Sequence, residues 1–406
     1  MRIGLIFALV LIILLPRVAQ AAIDDKVIED LKAQLIALTA RLEALEETKS
    51  ESASIPVRTY APAQTPVQAG TRTPSAASWT EGIKLKGDFR YRHESFDIEG
   101  RDNRHRQRIR ARTEMSAHIS DTIKVGFGLA TGGDDPVSTN QTLGDGASSK
   151  DVVLDLAYVN WLTPVEGLSV RGGKFKNPFH RAGGNGLLWD SDLRPEGAGV
   201  SYQRGDMFAN AMWLFIDEDA SGDDAFLIAT QFGINTEIAD GKLLTGIGYY
   251  NFTDTKGRDV FFDGDPRGNL VNPDGTYLNG FELLEGFAEY SFVLEDTKVT
   301  LFADYVKNLD ADDFDTGYAF GVNLKQNSWK LGWTYQDLEA DAVLATFTDS
   351  DFIGGGTDGK GHILQVGYRI NKQVGLAAKL FLNDRNLDFG TEEDFKRLQL
   401  DISFKY

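Results

Sequence analysis

Along residues 104–119, RHRQRIRARTEMSAHI, polar and apolar side chains alternate with a period of two. One face carries Arg104, Arg106, Arg108, Arg110, Arg112, Glu114 and His118; the other carries Ile109, Ala111, Thr113, Met115, Ala117 and Ile119. A dry core cannot hold the first face, because unpaired guanidinium groups are far too costly to desolvate. As a membrane helix the segment would leave no lipid-facing stripe. Lipid outside and water inside suits both faces, and that is the wall of a transmembrane β-barrel.

From Trp79 onward the chain repeats a unit of about ten alternating residues, the length of a tilted strand crossing a bilayer. The pattern predicts an all-β transmembrane barrel of 16 antiparallel strands. The first strand sets Ile83, Leu85, Phe89 and Tyr91 outward; a late one does the same with Val374, Leu376, Ala378, Leu380 and Leu382. Between Lys150 and Asn308 the alternation is less clean. Short turns are expected at Ser120 and Asp121, Thr163 to Gly167, Gly205 and Asp206, Asp240 and Gly241, Glu295 and Asp296, Asn327 and Ser328, and Asn371 and Lys372. Long connections are expected near residues 94–103, 132–150, 177–197, 217–224, 254–279, 309–315, 339–360 and 384–394. Short periplasmic turns on one side and long external loops on the other are the signature of an even-stranded outer-membrane barrel. The last strand, LQLDISFKY, ends on Tyr406 and must pair with the first for the barrel to close.

Ahead of the barrel, Arg2, the apolar run Ile3 to Leu15 and Ala19-Gln20-Ala21 read as a signal peptide over residues 1–21, with a short membrane anchor as the alternative. Residues 22–49 repeat Ile28, Leu35 and Leu42 against Leu31, Leu38 and Leu45, which predicts a short coiled-coil helix in the periplasm or a lone amphipathic helix. Residues 50–78 are rich in Pro, Thr and Ala and read as a linker, leaving 79–406 as the barrel.

A net charge of -18 argues against nucleic acid as a partner, and the absence of Cys removes disulfides and thiolate sites. Mean hydropathy is -0.26, a value that does not speak against a barrel, whose lipid-facing residues are diluted by lumen-facing ones. The five His residues form no HExxH pair, and no GxSxG elbow occurs. Gly126, Gly128, Gly132 and Gly133 lack the GK[ST] of a phosphate loop, and the acidic runs 310–315 and 349–351 lack the spacing of a calcium loop. No cofactor, no metal and no enzymatic activity are expected.

Four blocks, IKLKGDFRYRHE at 83–94, RQRIRART at 106–113, VGFGLATGGDDPVSTNQTLGDG at 125–146 and GGKFKNPFHRAGGNGLLWDSDLRPEG at 172–197, resemble the putative porin family of Gram-negative bacteria and, more broadly, sixteen-stranded general porins. The resemblance implies a water-filled outer-membrane channel for passive diffusion of small hydrophilic solutes and ions, assembled as a homotrimer in outer-membrane lipid. The strand ending at Tyr406 resembles the signal read by the outer-membrane assembly machinery, and the coiled coil could reach toward the cell wall. In general porins the third loop folds inward and sets acids against a basic wall. The same arrangement here would face Arg90, Arg108, Arg110, Arg112 and Lys86 with Asp190, Asp192 and Glu196 as the pore constriction. Weak anion preference is the expectation, with Arg108, Arg110 and Arg112 weighing more than Arg104 and Arg106. A phosphate or other oxyanion channel is the nearest alternative, since Arg suits bidentate contact with such anions. A barrel hydrolase and a loop-based receptor or adhesin are the rival classes.

Overall fold

The computed structural model describes residues 82–220 and 222–406; the expected signal peptide, coiled coil and linker lie outside them. The strands are β1 (Ile83–Ile98), β2 (Arg104–His118), β3 (Ile123–Thr131), β4 (Gln141–Thr142), β5 (Val152–Leu162), β6 (Leu168–Lys174), β7 (Glu196–Arg204), β8 (Met207–Asp217), β9 (Ala225–Ile238), β10 (Gly241–Phe252), β11 (Phe281–Leu294), β12 (Thr297–Asn308), β13 (Thr316–Gln326), β14 (Trp329–Leu338), β15 (Gly359–Arg369), β16 (Val374–Arg385) and β17 (Glu393–Lys405). Apart from the two-residue β4, which pairs with β2 beyond the end of β3, each strand pairs antiparallel with its two neighbours. Because β1 pairs with both β2 and β17, the 16 long strands close into a ring and no edge is left.

The closing seam has its own fit. Gly87 and Tyr406 exchange two backbone hydrogen bonds of 3.1 Å, and the Tyr406 ring lies over Gly87, where a Cβ would stand 2.4 Å from it. Its hydroxyl reaches Thr113 Oγ1 at 2.5 Å on the next strand. An aromatic covering a glycine on a neighbouring strand shields backbone that would otherwise face lipid.

The outward positions agree with the alternation: Leu85, Phe89, Met115, Phe127, Leu376 and Leu400 are all exposed on the outer wall. Six of the seven short turns fall where the turn residues place them, and the seventh lies one residue earlier, at Ala239 and Asp240, with Gly241 opening β10. The long connections are L1 (99–103), L2 (132–151, containing β4), L3 (175–195), L4 (218–224), L5 (253–280), L6 (309–315), L7 (339–358) and L8 (386–392). L1 is a correction, since β1 and β2 stay paired as far as Phe96 opposite Arg104 and leave only a tight turn. The strand persists because Glu94 and Phe96 are buried inward, Glu94 bonded to Arg106 and Arg397 and Phe96 stacked under the same two guanidiniums at 5.1 and 5.0 Å.

The interior is not water-lined throughout, which corrects the expectation of water along the whole inner face. Inward Met212, Leu214, Leu227, Tyr250, Phe281 and Leu283 on β8–β11 form one apolar cluster with side chains that the loops bring inside. L3 contributes Phe175, Phe179, Leu187, Leu188 and Trp189, L5 contributes Val260, Phe261 and Tyr277, and L7 contributes Val343, Leu344, Phe352 and Ile353. Polar stitches fix these loops to each other. Asn269 Nδ2 donates to the Ala340 and Val343 carbonyls (2.8 and 2.9 Å), and Asp341 accepts from Leu270 N and Asn279 Nδ2 (2.9 and 2.8 Å).

Candidate pore-lining site

L3 crosses the lumen as a bar anchored at both ends. On one wall Asn185 Nδ2 donates to Asp304 Oδ2 (2.7 Å), Gly183 N to Glu289 Oε1 (2.9 Å) and Asn323 Nδ2 to the Gly183 carbonyl (2.9 Å). Gly183 has φ +61° and a Cβ there would run into the Phe302 ring, so the close approach requires glycine.

At the other wall Asp192 meets the arginine stripe. Arg110 lies 3.1 Å from Asp192 and 3.0 Å from Asp88, and Arg112 lies 2.8 Å from Asp192 and 2.9 Å from Asp88, so two guanidiniums and two carboxylates form a closed ring. Burial alone would raise the Asp192 carboxyl, but Arg110, Arg112, Arg194 and Arg90 together hold it below its ordinary value. Lys86 sits 3.3 Å from Glu114, which also accepts from Lys176 of L3 at 2.6 Å. Arg90 bonds Asn140 Oδ1 (2.5 Å) and lies 3.7 Å from Asp401. Arg108 reaches only the Ser138 hydroxyl (3.4 Å) and the Asn140 carbonyl (3.3 Å), with no carboxylate at ion-pair distance among the described residues.

Two expected acids stand elsewhere. Glu196 opens β7 on the same face as outward-facing Val200, where it is exposed and pairs with Lys174 at 2.7 Å. Its parity turns it away from the lumen. Asp190 points into L7 instead of toward the arginines, accepting from Ser350 N (2.9 Å) and from Asp192 N (2.6 Å). Burial, with the Asp349 and Asp192 carboxylates beside it, pushes Asp190 up to about 7. Docking of L3 on L7 therefore carries a proton that an undocked carboxyl, with its ordinary value of 3.8, would release. The contact is expected to be tightest near the ordinary value and to weaken as pH rises toward about 7, with no further change beyond. Protease nicking of L7 followed across this window should show that slope in the wild type and a flat profile in Asp190→Asn. A slope that survives the substitution would place the titrating group elsewhere.

The alternation pattern did not reveal L7. Asp351 joins Arg92 (3.1 Å) and Arg397 (2.8 Å), Arg92 also clamps Asp401 (2.7 Å), and Glu94 bridges Arg397 (2.5 Å) and Arg106 (2.6 Å). Arg92, Glu94 and Arg397 are all buried. Burial works to raise the Asp351 carboxyl, yet Arg397 and Arg92 draw it far below the usual carboxylate range. The acidic run 349–351 is thus an inward anchor and not a solvated loop tip. A sequence signal existed in the unpaired inward arginines of β1 and β17, which required a counter-charge from somewhere.

The geometry is that of a barrel whose upper lumen is narrowed by two inward loops set against arginines. The family model described as "Putative porin" matches residues 97–262 and 313–406, well over half of the chain. No curated protein matches the chain significantly. Among solved structures, the "High pH structure of Pseudomonas putida OprB" aligns with TM-score 0.58 at 12% identity, covering 80% of this chain and 95% of that one. "Salmonella typhi OmpF complex with Daunomycin" aligns with TM-score 0.50 at 11% identity, covering 81% and 99%. At such identities the likeness concerns the fold, and the family match carries the assignment: the chain belongs to the putative porin family, as an outer-membrane barrel of the channel-forming type.

Proposed function

We propose that the barrel is a passive, water-filled path for small hydrophilic solutes and ions, weakly anion-preferring, which works as a homotrimer with its N-terminal segment in the periplasm. The observation that carries this reading is the charge on the unfilled part of the lumen. Inward Lys84, Lys325 and Lys330 are exposed and Lys124, Arg171 and Lys379 half-buried, none with a carboxylate at ion-pair distance among the described residues, whereas inward Asp88 and Asp192 are spent on Arg110 and Arg112. Charges in an external mouth are screened within a Debye length of about 8 Å at physiological salt, so the acidic loops weigh less than the wall. The trimer follows the resemblance to sixteen-stranded porins, and native mass measurement tests it.

Purified protein in a planar bilayer is expected to give ohmic conductance steps and, in a KCl gradient, a reversal potential of anionic sign. Clear cation preference would mean that the loop carboxylates control the path. A barrel that conducts nothing while cleaving lipid or peptide would be an enzyme.

A further inference from the structure

Between L7, L2 and the β1–β2 wall lies a cavity of about 350 Å³ above the Arg110–Arg112 ring. Its lining carries Arg101, Arg104, Arg106, Arg108, Arg267 and Arg397, against only two carboxylates, Asp102 and Asp135. Four of these arginines have counter-charges behind the lining: Arg101 with Glu393, Arg106 with Glu94, Arg267 with Asp263, and Arg397 with Glu94 and Asp351. Those carboxylates do not border the cavity. Arg104 and Arg108 have no carboxylate at ion-pair distance among the described residues; Arg104 stands 6.0 Å over the Phe96 ring. Three of the lining guanidiniums, on Arg108, Arg267 and Arg397, each keep a buried Nε–H without an acceptor. Opposite them, Gly354, Gly355 and Gly356 of L7, with φ of +97°, +104° and +98°, present a wall without side chains. An orphaned guanidinium donor in a basic, partly enclosed space is costly unless an acceptor arrives.

We propose that this vestibule is a retention site for doubly charged tetrahedral oxyanions, with Arg108 and Arg104 as direct ligands and Arg106, Arg267 and Arg397 as the surrounding field. A phosphate or sulfate has the acceptor geometry for two guanidinium forks at once, and a monovalent halide does not. On β2 the site lies one inward position before Arg110, so a captured anion waits directly above the ring. This deepens the pore reading and rests on it for the transport measurement alone.

The test uses the full-length protein in detergent with inorganic phosphate, followed by ³¹P line broadening, and the same protein in a bilayer carrying chloride current. Phosphate is expected to broaden with the wild type and to reduce chloride current in a saturable way. Arg108→Gln should weaken both at least tenfold, while outward-facing Lys396→Gln should leave both unchanged. Arg108→Lys keeps the charge and loses the fork, so intermediate weakening is expected, and it serves if the glutamine variant fails to assemble. Unchanged phosphate affinity in either Arg108 variant would overturn the site. Ohmic chloride conductance with no phosphate binding would overturn it as well and leave the pore reading standing. Phosphate binding lost in Arg108→Gln, in a wild-type protein that conducts nothing, would support the site and remove the pore.

Discussion

Asp351→Ala should release L7 from the wall and raise single-channel conductance several-fold. Its carboxylate is shared by Arg92 and Arg397, whose side chains are only 4% and 2% exposed and which would keep Asp401 and Glu94 as their other partners. Breaking an isolated buried ion pair costs about 3–5 kcal/mol; here Arg92 and Arg397 retain their other carboxylates, so the loss is smaller and falls on the ion pairs that tie L7 to the wall. The barrel ladder does not run through L7, so the cost falls on loop docking and the ring of strands should stay closed. Conductance and protease sensitivity of residues 339–358 are the two readings. If both stay at wild-type values, the anchor is redundant with the Asn269 and Asp341 stitches that hold the other end of the loop. Asp351→Asn should fall between, since an amide retains an acceptor for the guanidiniums.

Asp192→Asn should move ion selectivity further than any substitution in the outer mouth. Arg110 and Arg112 are neutralised by Asp88 and Asp192 as a set of four, and the amide leaves that set with one uncompensated positive charge at unchanged volume. At an effective dielectric of about 20, a unit charge a few ångströms from a passing ion changes its energy by roughly 2–4 kcal/mol before screening. Screening by water in the lumen reduces that figure, so a several-fold rise in the chloride-to-potassium permeability ratio is the expected result, read as a reversal potential in a KCl gradient. Asp88→Asn should act in the same direction. An unmoved reversal potential in both would show that ions pass on the other side of the L3 bar.

The wall was readable because water on one face and lipid on the other impose strict alternation, as on β1–β3 and β13–β17. Where alternation blurred, the blur had a cause. The segments AFLIATQF at 225–232 and MFANAMWLF at 207–215 put lipid-facing Ile228 and Trp213 next to inward Leu227 and Met212, which are buried under the loops. A strand covered on both faces reads as a nearly continuous apolar run, so the irregular stretch marked the dry half of the barrel. At the candidate site, it was the resemblance to general porins that pointed to Asp192 beside the arginine stripe, and the structure sets Asp192 against Arg110 and Arg112. Asp190 was not, since its partner, the Ser350 N–H, lies 160 residues further along the chain. Glu196 was misplaced by a matter of parity, because it already belongs to β7. The run 349–351 was noticed for its acids, but the role of Asp351 was not legible, because nothing local in an acidic loop reveals arginines on β1 and β17.

The inward packing of L3, L5 and L7 also restricts which parts of this protein can change. In a barrel with free outer loops, each loop can drift under pressure from phages or antibodies, or accept an inserted epitope, without disturbing the wall. Here an insertion beside Asn269, Asp341 or Gly355 would break a contact inside the lumen, and L8 is itself held to L7 through Asp388 and Asp358, whereas the turns at 144–149 and 218–220 contribute no residue to the apolar cluster. Antigenic variation and tag insertion should therefore be confined to the 144–149 stretch of L2 and to L4, and a library that randomises L7 would select for blocked or unfolded barrels before it selected for new surfaces.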